Sequence, residues 1–268
     1  MFRCTYGGEE CQLDYFVAEF TDMGLCYTFN YNLSLLSNTT GNTLLNGGAG
    51  TDTLTGGTGN DLLIGGIGND AITTGTGADT IAFNKGDGQD TVAASTTKDN
   101  TLSIGGGTNY ADLLFTKSGN DLILKVGSTD QITLTGYYTS TANHSINTLQ
   151  VILQGSTDYN AGSSNAIFNK KIEDFNFDGL VAAFDAARAA NPSLTTWALT
   201  NALTAQYLNG SDTAALGGDL AYQYGLTGNL GSISALPAMA ILSAATFGTA
   251  AQTLQSQAGL QDPTPRLS

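Results

Sequence analysis

The sequence predicts a mainly β protein: a parallel β-roll of nonapeptide repeats with a β cap, followed by a small α-helical domain. Three observations predict it. A glycine- and aspartate-rich unit recurs every nine residues from Gly47 to Ala82, apolar residues alternate between Tyr110 and Leu134, and an Ala, Leu and Thr-rich stretch after Asn165 carries helical spacing.

The repeat comes first because it decides the architecture. Gly47–Thr55 reads G-G-A-G-T-D-T-L-T, Gly56–Ile64 reads G-G-T-G-N-D-L-L-I, Gly65–Thr73 reads G-G-I-G-N-D-A-I-T, and Thr74–Ala82 continues as T-G-T-G-A-D-T-I-A. The sixth position is Asp52, Asp61, Asp70 and Asp79, and the eighth is Leu54, Leu63, Ile72 and Ile81. The same register frays at both ends. Asn38–Asn46 keeps Gly41 and Leu45 but has Thr43 in place of Asp, while Lys85–Ala93, after an insertion of Phe83 and Asn84, restores Gly86, Gly88, Asp90 and Val92. A Gly/Asn/Asp-rich linker has no reason to keep an aliphatic residue at every eighth position.

The spacing has a physical purpose. Glycine-rich half-turns reach positive φ and aim carbonyl oxygens at one point, and the next three residues extend as a strand with the eighth-position side chain inward. Two nonapeptides make one coil, so Asp52 should stack on Asp70, Asp61 on Asp79, and Asp70 on Asp90, about 4.8 Å apart. Two carboxylates about 5 Å apart repel by about 3 kcal/mol at an effective dielectric near 20. A cation reverses that sign. Ca2+ is the natural one, because it accepts six to eight hard oxygens in flexible geometry, and the array holds no Cys or His for softer metals. The candidate ligands are the carboxylates of Asp52, Asp61, Asp70, Asp79 and Asp90 and the turns built on Gly48, Gly50, Gly57, Gly59, Gly66, Gly68, Gly75 and Gly77.

Composition supports a cation as partner. The formal charge is −14, and between Asn32 and Asp158 all eleven carboxylates are Asp, against four Lys. Such a balance argues against a nucleic-acid backbone. No apolar stretch reaches the roughly 20 residues of a membrane span, and no ordinary secretory signal peptide opens the chain.

Beyond the array, Leu122, Leu124 and Val126 share one strand face and Ile132 and Leu134 another, with turns at Ser118–Asn120 and Gly127–Ser128, so residues 94–158 read as a β-rich cap over a roll at 38–93. The helical stretch spans 166–260. Phe177, Leu180, Val181 and Phe184 have i, i+3, i+4, i+7 spacing, and Asn191-Pro192 reads as the start of a second helix bearing Leu199, Leu203 and Tyr207. Further helices are expected over 235–246 and 250–258.

The array resembles the RTX (haemolysin-type) family of calcium-binding repeat proteins, and N-K-G-D-G-Q-D-T-V at Asn84–Val92 and the segment Tyr110–Leu134 look like the β-rich segment that family members carry after their repeats. The resemblance implies Ca2+-dependent folding after export, an extracellular location, type I secretion machinery as a partner through a signal near the chain end, and an adhesin- or toxin-like parent. Its relatives often carry lipases or proteases, but no G-x-S-x-G or H-E-x-x-H motif is present and the single His144 sits in a polar loop, so no enzyme activity is expected here. Residues 1–31 differ. Cys4, Cys11 and C-Y-T-F-N at Cys26–Asn30 resemble an extracellular fragment of the degenerin/epithelial sodium channel family, which makes a fragment of a ligand-gated sodium channel the alternative function.

Overall fold

The computed structural model describes residues 35–261, except 39, 96 and 98, together with the short strands Cys4–Tyr6, Glu9–Cys11 and Leu25–Tyr27. Most of residues 1–31, on which the channel resemblance rests, lie outside the described residues.

Each nonapeptide spends its glycines on a turn and its last three residues, rich in Thr, Leu and Ile, on a strand. The strands run β1 (Leu36–Ser37), β2 (Leu44–Asn46), β3 (Thr53–Thr55), β4 (Leu62–Ile64), β5 (Ala71–Thr73), β6 (Thr80–Asn84), β7 (Gln89–Val92) and β8 (Asn100–Gly105). Odd strands form one parallel sheet and even strands another, so the chain crosses between two layers at every turn. The eighth-position aliphatics therefore line up in two inward columns. Leu36, Leu54, Ile72 and Val92 pair along the odd sheet, and Leu45, Leu63, Ile81 and Leu102 along the even one. All are buried in one core.

Antiparallel strands β9 (Leu113–Ser118), β10 (Asp121–Val126) and β11 (Asp130–Leu134) extend the odd sheet, β11 lying parallel to β7. The even sheet continues through β12 (Ile146–Ile152), parallel to β8. The alternation read from the sequence holds: Leu122, Leu124, Val126, Ile132 and Leu134 all enter the core.

Residues 166–260 depart from the all-helical expectation. They contribute β13 (Ile172–Asn176) and β15 (Tyr207–Ser211) to the even sheet and β14 (Thr196–Ala198) to the odd one. The expected first helix is present as α1 (Phe177–Ala190), capped by the Asn176 side chain, which accepts the Gly179 N–H at 3.0 Å, and it buries Phe177, Leu180, Val181 and Phe184. Asn191 ends this helix rather than opening the next. No long helix comes next, because Thr196-Trp197-Ala198 meets the open edge of β9, where Trp197 stacks on Phe115 with ring centroids 6.5 Å apart. An available sheet edge and an aromatic contact outweigh a weak helical pattern. Leu199 and Leu203 are still buried, but from a 3-10 turn and a single helical turn.

Two later helices, α2 (Gly218–Thr227), which the apolar spacing did not announce, and α3 (Ala235–Leu242), lie against the outer face of the even sheet. The helix expected over 250–258 is instead a two-residue strand, Gln252–Thr253, and then a turn. Among the described residues no helix is long and apolar enough to cross a membrane.

Candidate metal centre

The turns between strands fall along the two edges of the stacked sheets. Turns 47–52, 65–70 and 85–88 run along one edge, and turns 40–43, 56–61 and 74–79 along the other. Close stacking requires glycine here. Gly66 has φ +93°, and a methyl group on it would overlap the Gly48 carbonyl; one on Gly77, at φ +122°, would overlap that of Gly59.

The aspartates form two ladders at the expected spacing. On the first edge the Asp52 N–H donates to Asp70 Oδ1 at 2.8 Å and the Asp70 N–H to Asp90 Oδ1 at 3.0 Å. On the second, Thr43 N–H donates to Asp61 Oδ1 at 2.8 Å and Asp61 N–H to Asp79 Oδ1 at 2.9 Å. One carboxylate oxygen thus clamps each coil to the previous one.

The other oxygen has no such partner. Oδ2 of Asp52, Asp61, Asp70 and Asp79 is buried without a hydrogen bond, as is Oδ1 of Asp52. Leaving such atoms unpaired in a dry interior costs a few kcal/mol each, so the arrangement is poised for a ligand. Burial is the largest cause raising these carboxyls. Asp52 is pushed up to about 7, helped by repulsion from Asp70, and Asp61 to about 8, helped by Asp79. Burial also raises Asp70, takes Asp79 to about 7 and takes Asp90 to about 8.

Close approach constrains the first glycine of three nonapeptides as well. A Cβ on Gly47 would fall among Gly65 O and Asp52 Oδ2, and a Cβ on Gly56 among Thr74 O and Asp61 Oδ2. At Gly47 and Gly56 a side chain would therefore collide with the repeat's own aspartate and with a carbonyl one coil on, and at Gly65 with Asp70; the fourth nonapeptide carries Thr74 at this position. These first-position glycines pack against the ladder aspartates and are not among the turn residues named from the sequence. Their signal was their identity in three successive repeats. Of the turn glycines named from the sequence, Gly48 and Gly57 already accept the N–H groups of Ile67 and Thr76 and keep one lone pair.

One further residue extends the second ladder, and one lies beside the end of the array. Asn100 Oδ1 accepts the Asp79 N–H at 2.9 Å, as an aspartate would, and Asn100-Thr101-Leu102 repeats the D-T-L pattern of Asp52-Thr53-Leu54 after a lengthened turn. Asp87, buried and raised to about 7 mainly by desolvation, accepts the Asn84 N–H and the Tyr224 hydroxyl at the last turn. Among the described residues no three Asp, Glu, His or Cys side chains converge as a metal site. Paired carboxylates must therefore be completed by backbone oxygens, which suits Ca2+ and disfavours a thiolate or imidazole metal.

A comparison with curated proteins finds no match for the chain. Residues 40–81 match the family model of the RTX calcium-binding nonapeptide repeat, in four copies, and through these repeats the chain binds Ca2+.

Proposed function

We propose that the chain is a calcium-dependent folding module of an exported protein: a β-roll over 38–93 that coils on Ca2+, with a β cap at 94–158 protecting its last coil. The observation that carries the reading is the row of buried, unpartnered carboxylate oxygens along the two ladders, against which the first-position glycines pack closely. Asp52 with Asp70 and Asp61 with Asp79 hold the two best-formed sites, and Asp70 with Asp90 a third. The turns of Gly48, Gly50, Gly57, Gly59, Gly66, Gly68, Gly75 and Gly77 supply backbone oxygens around them. Bound Ca2+ supplies the positive charge that turns carboxylate repulsion into attraction.

Such sites are weak, on the scale of extracellular modules at roughly 0.1–1 mM. The chain is then unfolded where calcium is scarce, fit for passage through type I secretion machinery, and folds outside the cell. An adhesin- or toxin-like parent and a role in binding rather than catalysis belong to the same reading.

Far-UV circular dichroism of the full chain during a calcium titration tests it. β structure is expected to rise across roughly 0.1–1 mM Ca2+ and to vanish with chelator. An identical spectrum in both conditions would overturn coupled folding.

A further inference from the structure

We infer that the tail from Gly218 to Leu260 is a latch that docks on the coiled repeats and raises their calcium affinity. The inference rests on the calcium-dependent folding proposed above.

The docking surface is composite. Leu44, Leu62, Ile64 and Ala82 come from β2, β4 and β6, one coil apart, and they bury against Leu220, Ala221, Tyr224, Ile241, Leu242 and Phe247 of the tail. Uncoiled repeats cannot present them side by side. The tail also grips the turns themselves. Asn42 Nδ2 donates to Leu242 O at 2.8 Å and Asn60 Nδ2 to Phe247 O at 2.6 Å, each from the residue just before Thr43 or Asp61 in the second ladder. The same two side chains use their oxygens to accept the N–H groups of Asn60 and Ala78 one coil on. At the far end of the array the Tyr224 hydroxyl donates to Asp87 at 2.8 Å and Asn84 Nδ2 donates to Tyr224 O at 2.8 Å. The tail therefore spans the even sheet from one ladder edge to the other.

Linkage makes the consequence reciprocal. If coiling creates the tail's seat, a seated tail favours the coiled, calcium-competent state by the same factor. At low calcium the tail's apolar face is unseated, and at high calcium it is covered by the coil.

The test uses the full chain and leaves the array untouched. Hydrogen exchange of the Leu220–Leu226 amides is measured with calcium and with chelator, and the calcium midpoint is read from circular dichroism, for the wild type, Leu220→Ser/Ile241→Ser and the control Leu236→Ser. Leu220 and Ile241 are buried, whereas Leu236 is 57% exposed on the same helix as Ile241. Wild-type tail amides should be protected only with calcium. The double variant should lose that protection and raise the calcium midpoint about tenfold, with the control unchanged. Tail protection that persists in chelator, or a double variant that frees the tail without moving the midpoint, overturns the latch while leaving calcium-driven folding intact. An array indifferent to calcium overturns both.

Discussion

The two outer faces of the coil have the same backbone and opposite chemistry. On the even sheet the outward seventh and ninth positions are Leu44, Asn46, Leu62, Ile64, Thr80 and Ala82, all buried, with Leu44, Leu62, Ile64 and Ala82 packed on the tail; on the odd sheet they are Thr53, Thr55, Ala71, Thr73 and Thr91, exposed or half-buried. Chemically the repeat is nine residues long, because every nonapeptide must build a turn and one inward aliphatic. Structurally it is 18, because alternate nonapeptides face different neighbours. A half-turn repeated on both edges can thus carry a dry face on one side and a wet one on the other.

Charging the same position on each face should break the comparison most sharply. Leu62→Asp places an unpaired carboxylate under the tail and should cost about 4 kcal/mol or more, while Thr53→Asp should stay within about 0.5 kcal/mol, both read from urea unfolding at saturating calcium. Equal losses would mean the tail does not cover the even sheet in solution.

The turns offer a second contrast. Gly66→Ala combines φ +93° with overlap on the Gly48 carbonyl and should cost about 3 kcal/mol; Gly86→Ala, at φ +105° with open space around it, should cost only about 1 kcal/mol of backbone strain. Thermal unfolding of the two variants separates stacking from conformational strain.

Asp61→Asn should act with opposite signs in the two conditions. With calcium it removes a ligand charge and should raise the calcium midpoint about tenfold, or about 1.4 kcal/mol; in chelator it removes repulsion from Asp79 and should stabilise the coil. A titration and then unfolding in chelator measure both.

A buried acid outside the ladders offers a contrast in pH rather than in place. Glu173 is fully buried in β13, its Oε1 accepts the Lys170 N–H, and burial pushes it up to about 7 from 4.5. A raised folded pKa means the neutral acid is favoured in the fold, so this stability is complete below about pH 4.5 and lost as pH rises through 7. Glu173→Gln should therefore stabilise the protein at pH 8 and change little at pH 4. Urea midpoints at both values check the sign.

Much of the site was legible because its logic is local. The turn glycines, the sixth-position aspartates and the eighth-position aliphatics are each required within a single nonapeptide. The 18-residue pairing is then a consequence of two strands per coil, seen at Asp52–Asp70 and Asp61–Asp79, while the inserted Phe83 and Asn84 stretch the Asp70–Asp90 rung to 20. Asn100 was harder to see, since the insertion before it breaks the period and only Asn-Thr-Leu survives as a signal. His144 reads as a solvated loop residue, yet it lies flat on Tyr137 with ring centroids 4.0 Å apart, a partner 7 positions away that no short-range pattern announces.

The sequence by itself determined the coil, the chemistry of its two edges and the identity of its cation, because period, carboxylates and glycines act on their immediate neighbours. Only the tertiary structure decided what residues 166–260 become. Thr196–Ala198 and Tyr207–Ser211 are strands because open sheet edges receive them, and α2 and α3 lie where they do because Leu44, Leu62 and Ile64 leave an apolar face that must be covered. Those choices depend on surfaces that exist only once the coil is assembled.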